Sequence, residues 1–132
     1  KFRGQVNSKI LATAKEVKRL LNNKHVAILD ARTKEEFKGS EVRASRKGHI
    51  PSAINIDWQN NIEDSIFKSK GQLSGIYSKI PKNVQIITYC QGGYRAANTF
   101  LVLKILGYKN VKMYLGSWAE WGNKLNLPVE QN

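Results

Sequence analysis

Two short apolar runs constrain this chain more than anything else in it. "VAIL" at 26–29 sets four apolar residues in a row and ends at Asp30. "VQIITY" at 84–89 is rich in β-branched residues and ends immediately before Cys90. A strand covered on one face alternates apolar and polar residues, whereas a strand covered on both faces does not. Both runs therefore read as buried strands. The second is followed by "YRAANTFLVLKIL" at 94–106, the strongest helical segment, with Gly107 placed as its C-terminal cap. Buried strands alternating with helices imply an α/β domain with a mostly parallel sheet. In such sheets, sites form beyond the carboxyl ends of the strands. Asp30 and Cys90 each follow a buried strand, so both are expected on that one edge.

The rest of the chain fits around this frame. An edge strand is expected from Phe2 to Val6. "SKILATAKEVKRLL" at 8–21 puts Ile10, Leu11, Ala14, Val17, Leu20 and Leu21 on one helical face. "TKEEF" suits a short helix capped by Thr33. The polar, basic segment 38–51 reads as a surface loop. "AINI" at 53–56 and "VKMY" at 111–114 read as short strands. Residues 57–80 read as short helical pieces broken at Gly71 and Gly75, and "GSWAEWGNKL" as a loop entering a short helix.

Composition removes several classes of function. The 132 residues suffice for one domain, 1–132. The chain begins at Lys1 rather than methionine, so it is expected to be a piece excised from a longer chain. One cysteine excludes an internal disulfide, a Cys-x-x-Cys pair and a multi-thiolate zinc site. The apolar runs are too short to span a bilayer, so no membrane partner is expected; the location is expected to be cytoplasmic unless a targeting segment has been removed. A net charge of +12 attracts anions. The basic residues are scattered and not interleaved with aromatics, which argues against nucleic acid as the partner.

The cysteine loop "CQGGYR" joins a strand to a helix. Gly92 and Gly93 permit backbone conformations that bulkier residues resist. They allow the amides of Gln91 to Arg95 to turn in around the sulfur, making an anion-binding concavity. The helix that follows adds free N–H groups and the positive end of its dipole. Such a cradle favours a charged sulfur on Cys90, the nucleophilic form, and would equally hold a persulfide. A cysteine in mid-strand is usually a small hydrophobe, but this one ends its strand at a Gly-Gly turn. Arg95 could contact a substrate oxyanion, or brace the loop by donating to its carbonyls and to Asp30; the second is preferred, because inward amides leave carbonyls pointing outward.

At this point the chain resembles the rhodanese, or sulfurtransferase, domain. "LDARTKEEF" matches an Asp-x-Arg-x-x-x-Glu-Phe pattern through Asp30, Arg32, Glu36 and Phe37. "GHIPSAINI" matches a Gly-His-Ile-Pro pattern through Gly48, His49, Ile50, Pro51, Ala53 and Asn55. "CQGGYRAA" matches the active-site loop through Cys90, Gly93 and Arg95. "YLGSWAEW", from Tyr114 to Trp121, is similar to the ending of the catalytic C-terminal half of tandem-domain sulfurtransferases, with Leu115 where an acidic residue is common.

The resemblance implies a rhodanese-like fold, a central five-stranded, mostly parallel sheet with helices on both faces. It implies that Cys90 takes the outer sulfur of a small anionic donor such as thiosulfate. The persulfide is then emptied by cyanide, a thiol or a protein cysteine. Gln91, Gly92, Gly93, Tyr94 and Arg95 would bind substrate, and Asp30 and Arg32 would support the loop. No metal or organic cofactor is implied; an upstream rhodanese domain of the same chain is a potential partner. Thiosulfate-specialised members often carry cations at the second and third loop positions, where this chain has Gln91 and Gly92. Arg95, or basic residues from Arg43 to Lys47, would have to supply that charge.

Asp30, Arg32 and Glu36 are expected to form a structural network behind the cysteine, and His49 to make backbone hydrogen bonds rather than act as a base. Trp58, Trp118 and Trp121 are expected in packing. Two alternatives stand beside the enzyme: a persulfide carrier or interaction module without independent turnover, and a cysteine phosphatase or arsenate reductase. The second needs a wider loop than the four residues that separate Cys90 from Arg95.

Overall fold

The computed structural model describes residues 3–4 and 7–131. Its sheet contains β1 (Leu11–Ala12), β2 (Val26–Asp30), β3 (Ile54–Asn55), β6 (Gln85–Tyr89) and β7 (Val111–Tyr114). The order is β1-β7-β6-β2-β3, and every pairing is parallel. A separate antiparallel hairpin joins β4 (Ile62–Glu63) to β5 (Ile66–Phe67). The helices are α1 (Ala14–Leu20), α2 (Lys34–Lys38), α3 (Lys70–Ile76), α4 (Tyr94–Ile105) and α5 (Ser117–Trp121).

Both central strands are unalternating because both faces are covered. Ile86 and Leu29 join Leu73, Tyr77, Val102, Leu103 and Tyr108 in one core, beneath α3 and α4. Ile87 and Ile28 point the other way and join Val17, Ile50, Tyr114, Trp118 and Trp121, beneath α1 and α5. Successive residues of a strand serve opposite layers, so a two-faced sheet needs an apolar residue at each. Asp30 lies in register with Tyr89, which sets Ala31 beside Cys90 at the carboxyl edge. The two residues do emerge together.

Three element expectations change. Of the Phe2–Val6 edge strand, Phe2, Gln5 and Val6 lie outside the described residues, and Arg3 and Gly4 are not in a strand. The edge of the sheet is β1, where Leu11 and Ala12 pair with Met113 and Tyr114. The helix expected from residue 8 therefore starts only at Ala14. Thr13 caps it by accepting the Glu16 N–H, and the backbone before Thr13 is used by the sheet. Finally, Gly71 and Gly75 do not break a helix but lie inside α3. A Ser69–Gln72 capping box starts that helix and Leu73 buries its inner face, which offset the helix cost of the glycines. Gly107 lies just past the end of α4, as expected, with φ +84°. Among the described residues, no helix is long and apolar enough to cross a membrane.

Candidate active site

Cys90 follows β6 and is 1% exposed. Its sulfur accepts a hydrogen bond from the Gly93 N–H at 3.1 Å. Gly93 has φ +98°, a left-handed conformation that only glycine adopts cheaply, and this turns its amide onto the sulfur. Gly92 differs from the expectation: its φ is not positive and its Cβ position faces open space. Only one of the two glycines is required by the turn. Gly93 also stands at the N-cap of α4, where no side chain caps the helix. The first amides of a twelve-residue helix are thus left for whatever occupies the cavity in front of them.

The carbonyls that the turn pushes outward find donors, but not on Arg95. The Trp118 N–H donates to the Cys90 carbonyl and the Ala119 N–H to the Gln91 carbonyl, both at 2.9 Å. The Ser117 hydroxyl accepts from the Cys90 N–H at 3.2 Å and donates to the Tyr114 carbonyl at 2.9 Å. Ser117 holds φ +51° to do so. The start of α5 is therefore the outer brace of the cysteine loop. The signal for this in the sequence is "GSWAEW", a helix start directly after β7, but its bracing role does not show in the residue pattern.

Arg95 pairs with Glu36 and not with Asp30. Its two terminal nitrogens lie 2.5 and 2.9 Å from the Glu36 oxygens, a bidentate fork. Burial works against the Glu36 charge, but Arg95 and the Thr33 N–H outweigh it and hold the carboxyl at about 2. Glu36 in turn raises Arg95, helped by the nearby Cys90 sulfur. Asp30 and Arg32 make their own buried pair at 2.6 Å. Arg32 also donates to the Gly48 carbonyl and lies 4.6 Å above the Trp118 ring. The network expected behind the cysteine is therefore two pairs. One fastens α2 to α4, and the other fastens β2 to the 48–50 turn and α5.

His49 is buried, its Nδ1 2.8 Å from the Phe37 carbonyl and its ring stacked on Phe37 at 3.6 Å. Its backbone pairs with Glu130 in both directions. Trp118 and Trp121 are core, and Trp58 packs beside Cys90, Ala31 and Ala96.

In front of the sulfur opens a cavity of about 440 Å³ lined by Arg43, Cys90, Gln91, Gly92, Tyr94 and Arg95. Gln91 spans it, donating from Nε2 to the Arg43 carbonyl. Of the basic segment, Arg43 reaches this cavity and Arg46 does not. The Arg46 guanidinium donates to the Trp121, Gly122, Lys124 and Leu127 carbonyls and so closes the C-terminal end of α5. Arg43 is held by Glu41 at 2.5 Å and lies 3.6 Å from Glu36. Among the described residues, no group of three His, Cys, Asp or Glu side chains could hold a metal ion.

A parallel sheet with one buried cysteine at a strand end, under an uncapped helix start, defines a single-cysteine α/β domain. The chain belongs to the rhodanese-like domain family, whose model matches residues 13–124. It is 40% identical over 115 residues to a thiosulfate sulfurtransferase of Corynebacterium glutamicum, covering 80% of this chain and 38% of that protein. A thiosulfate sulfurtransferase of Azotobacter vinelandii is 40% identical over 108 residues, covering 80% and 40%. The sulfur carrier protein TtuD of Thermus thermophilus is 38% identical over 115 residues, covering 78% and 42%. The chain thus spans about two fifths of the length of these relatives. In fold it is similar to wild-type EanB, with a TM-score of 0.84 at 22% identity over 94% of this chain and 32% of that one. An EanB variant in complex with ergothioneine gives 0.85 at the same identity and coverage.

Proposed function

We propose that this domain is a sulfurtransferase that moves a sulfane sulfur through a persulfide on Cys90. The observation that carries the reading is the placement of the Cys90 sulfur, on the Gly93 N–H and before the uncapped start of α4. In the first step the Cys90 thiolate attacks the outer sulfur of thiosulfate. The S–S bond of the donor breaks and sulfite leaves with its electron pair. In the second step a nucleophile such as cyanide or a thiolate attacks the terminal sulfur, and Cys90 leaves as thiolate. Both the persulfide and the leaving group are anions, and fixed amide dipoles stabilise them without reorganisation. The names of the Corynebacterium and Azotobacter relatives support thiosulfate as the donor.

Tyr94, Gln91 and Gly92 line the approach in this reading. Arg43 supplies the positive charge that the uncharged loop positions lack: its pair with Glu41 is exposed and can yield to an anionic donor, whereas the fork between Arg95 and Glu36 is largely buried. A carrier role, in which Cys90 holds sulfur for another protein without turning over small molecules, is favoured by the name of the Thermus relative. An adjoining rhodanese domain of the same chain belongs to the proposal through the Tyr114–Trp121 resemblance.

The test is intact mass after incubation with thiosulfate. The expected result is a gain of one sulfur, removed by cyanide, absent in Cys90→Ser and slower to appear in Arg43→Ala. A gain with mercaptopyruvate but not thiosulfate would change the donor. No gain with any donor would overturn the enzyme reading.

A further inference from the structure

We propose that the amino edge of the sheet carries a second binding site, which takes a small organic anion with an apolar or aromatic body and one carboxylate. A cavity of about 390 Å³ opens there, between α3, the connection into β6 and the end of α4. Its lining is drawn from residues 74–82, which precede β6, and 106–108, which precede β7. Cys90 follows β6, so the two cavities lie at opposite ends of that strand. Sulfur transfer at Cys90 makes no use of this one.

The floor is apolar and fixed. Tyr77, Ile80 and Tyr108 are all buried. The Tyr108 hydroxyl is shared between the Tyr77 and Ile80 carbonyls, at 3.1 and 2.9 Å. That contact ties the residues after α4 to the connection before β6. The hollow is therefore pre-formed, as ligand sites usually are.

Lys82 sets the charge. Its ammonium lies 2.7 Å from the Leu106 carbonyl and 3.6 Å from the centre of the Tyr108 ring. The carbonyl takes one of its three N–H groups, and the ring face attracts the cation. Among the described residues, no carboxylate pairs with it. From Ser65 to Ala119, the stretch that supplies every lining residue, the chain has no aspartate or glutamate. Capping the last carbonyls of α4 accounts for the Leu106 contact. It does not account for a fixed apolar hollow beside an unneutralised cation.

The same count sets the ligand's charge at one. No guanidinium or second ammonium lines the cavity, so a phosphate or dicarboxylate would bring more charge than the site meets. The walls suit an apolar body rather than a bare inorganic ion, with Pro81 and Leu106 in the lining beside the Tyr108 ring. Ser74 adds a hydroxyl from the α3 side, whereas the Ser78 hydroxyl is taken by the Gly75 carbonyl.

The probe is phenylacetate, with phenylacetamide and acetate as controls that lack the charge and the ring. Each is titrated into the isotope-labelled protein at constant ionic strength and followed by backbone amide chemical shifts. We expect phenylacetate to shift residues 74–82 and 106–108 with saturation in the millimolar range. Phenylacetamide should bind there about fivefold more weakly, and acetate should give no saturable shift at these residues. Lys82→Met should weaken phenylacetate about fivefold and leave phenylacetamide unchanged. Because that change also removes the contact to α4, Ser74→Phe tests the cavity separately. It fills the hollow from an exposed helix position, so it should abolish saturable phenylacetate binding and leave the melting temperature unchanged. Equal affinity for phenylacetate and phenylacetamide would overturn the proposal. So would shifts that centre on Cys90 or scatter over surface lysines without saturating, or a variant that binds phenylacetate as the parent does.

Discussion

Glu36 is the residue on which the cavity wall depends. It is buried, it neutralises Arg95 through two hydrogen bonds, and it completes the capping box of α2 with Thr33. Its carboxyl is depressed from the ordinary 4.5 to about 2. The unfolded chain therefore binds the proton more readily than the folded one between these values. The stability Glu36 contributes is complete above pH 4.5 and is lost as pH falls towards 2, with a magnitude on the order of 2 kcal/mol. Urea midpoints measured from pH 6 to pH 2.5 should fall more steeply in the parent than in Glu36→Gln. Parallel curves would place the acid-labile group elsewhere. Sequence pattern put Glu36 in the network but paired Arg95 with Asp30. Nothing in the spacing reveals that partner, because Glu36 and Arg95, with a sequence separation of 59, are brought together only by the fold. Arg46 is a similar case. As a charge in a basic loop it reads as a substrate contact, and only α5 shows that four carbonyls claim it.

At the scale of elements, the cysteine turn is held between two helix starts. The N-terminus of α4 faces the sulfur, and the N-terminus of α5 faces the turn's carbonyls. The turn's peptide groups are thereby paired on the outer side and left free on the inner side. Gly93 is the hinge of this arrangement and Gly92 is not, which gives a paired expectation. Gly93→Ala forces an alanine to φ +98° and should cost about 1–2 kcal/mol of stability. Gly92→Ala should leave the melting temperature unchanged or slightly raised, because the backbone is unstrained and the space open. Equal losses in the two variants would mean that the turn is strained at both positions. The strands and helices on either side were legible because β2, β6 and α4 carry uninterrupted patterns several residues long. The segment 8–21 was not. A helical periodicity there competes with a two-residue edge pairing to β7, and a pairing of that length leaves almost no trace in local sequence. The glycines of α3 misled for a related reason: a capping box and one buried leucine outweigh two unfavourable propensities.

For the whole molecule, charge and topology work at different ranges. The +12 acts over about a Debye length, some 8 Å at physiological salt, and serves encounter rather than fold. The core is divided by the sheet into two layers, and the edge that carries Cys90 is built where both layers end. That edge draws on α2, β6, α4 and α5, so no part of the chain holds the site alone.

The sheet order has a consequence for how the chain reaches this state. β1, at residues 11–12, rests against β7, at residues 111–114, while β2 and β6 form the centre. The first strand in the sequence can find its place only after the last has been laid down. All pairings of this five-stranded sheet are parallel and distant in sequence, so each closes a long loop before it is rewarded, which puts folding in the slow range of milliseconds to seconds rather than microseconds. If β1 docks after the barrier, Leu11→Gly should speed unfolding and leave the refolding rate nearly untouched in stopped-flow measurements. A slowed refolding arm would instead put this outermost strand inside the nucleus, and the chain would be committed from its two far ends inward.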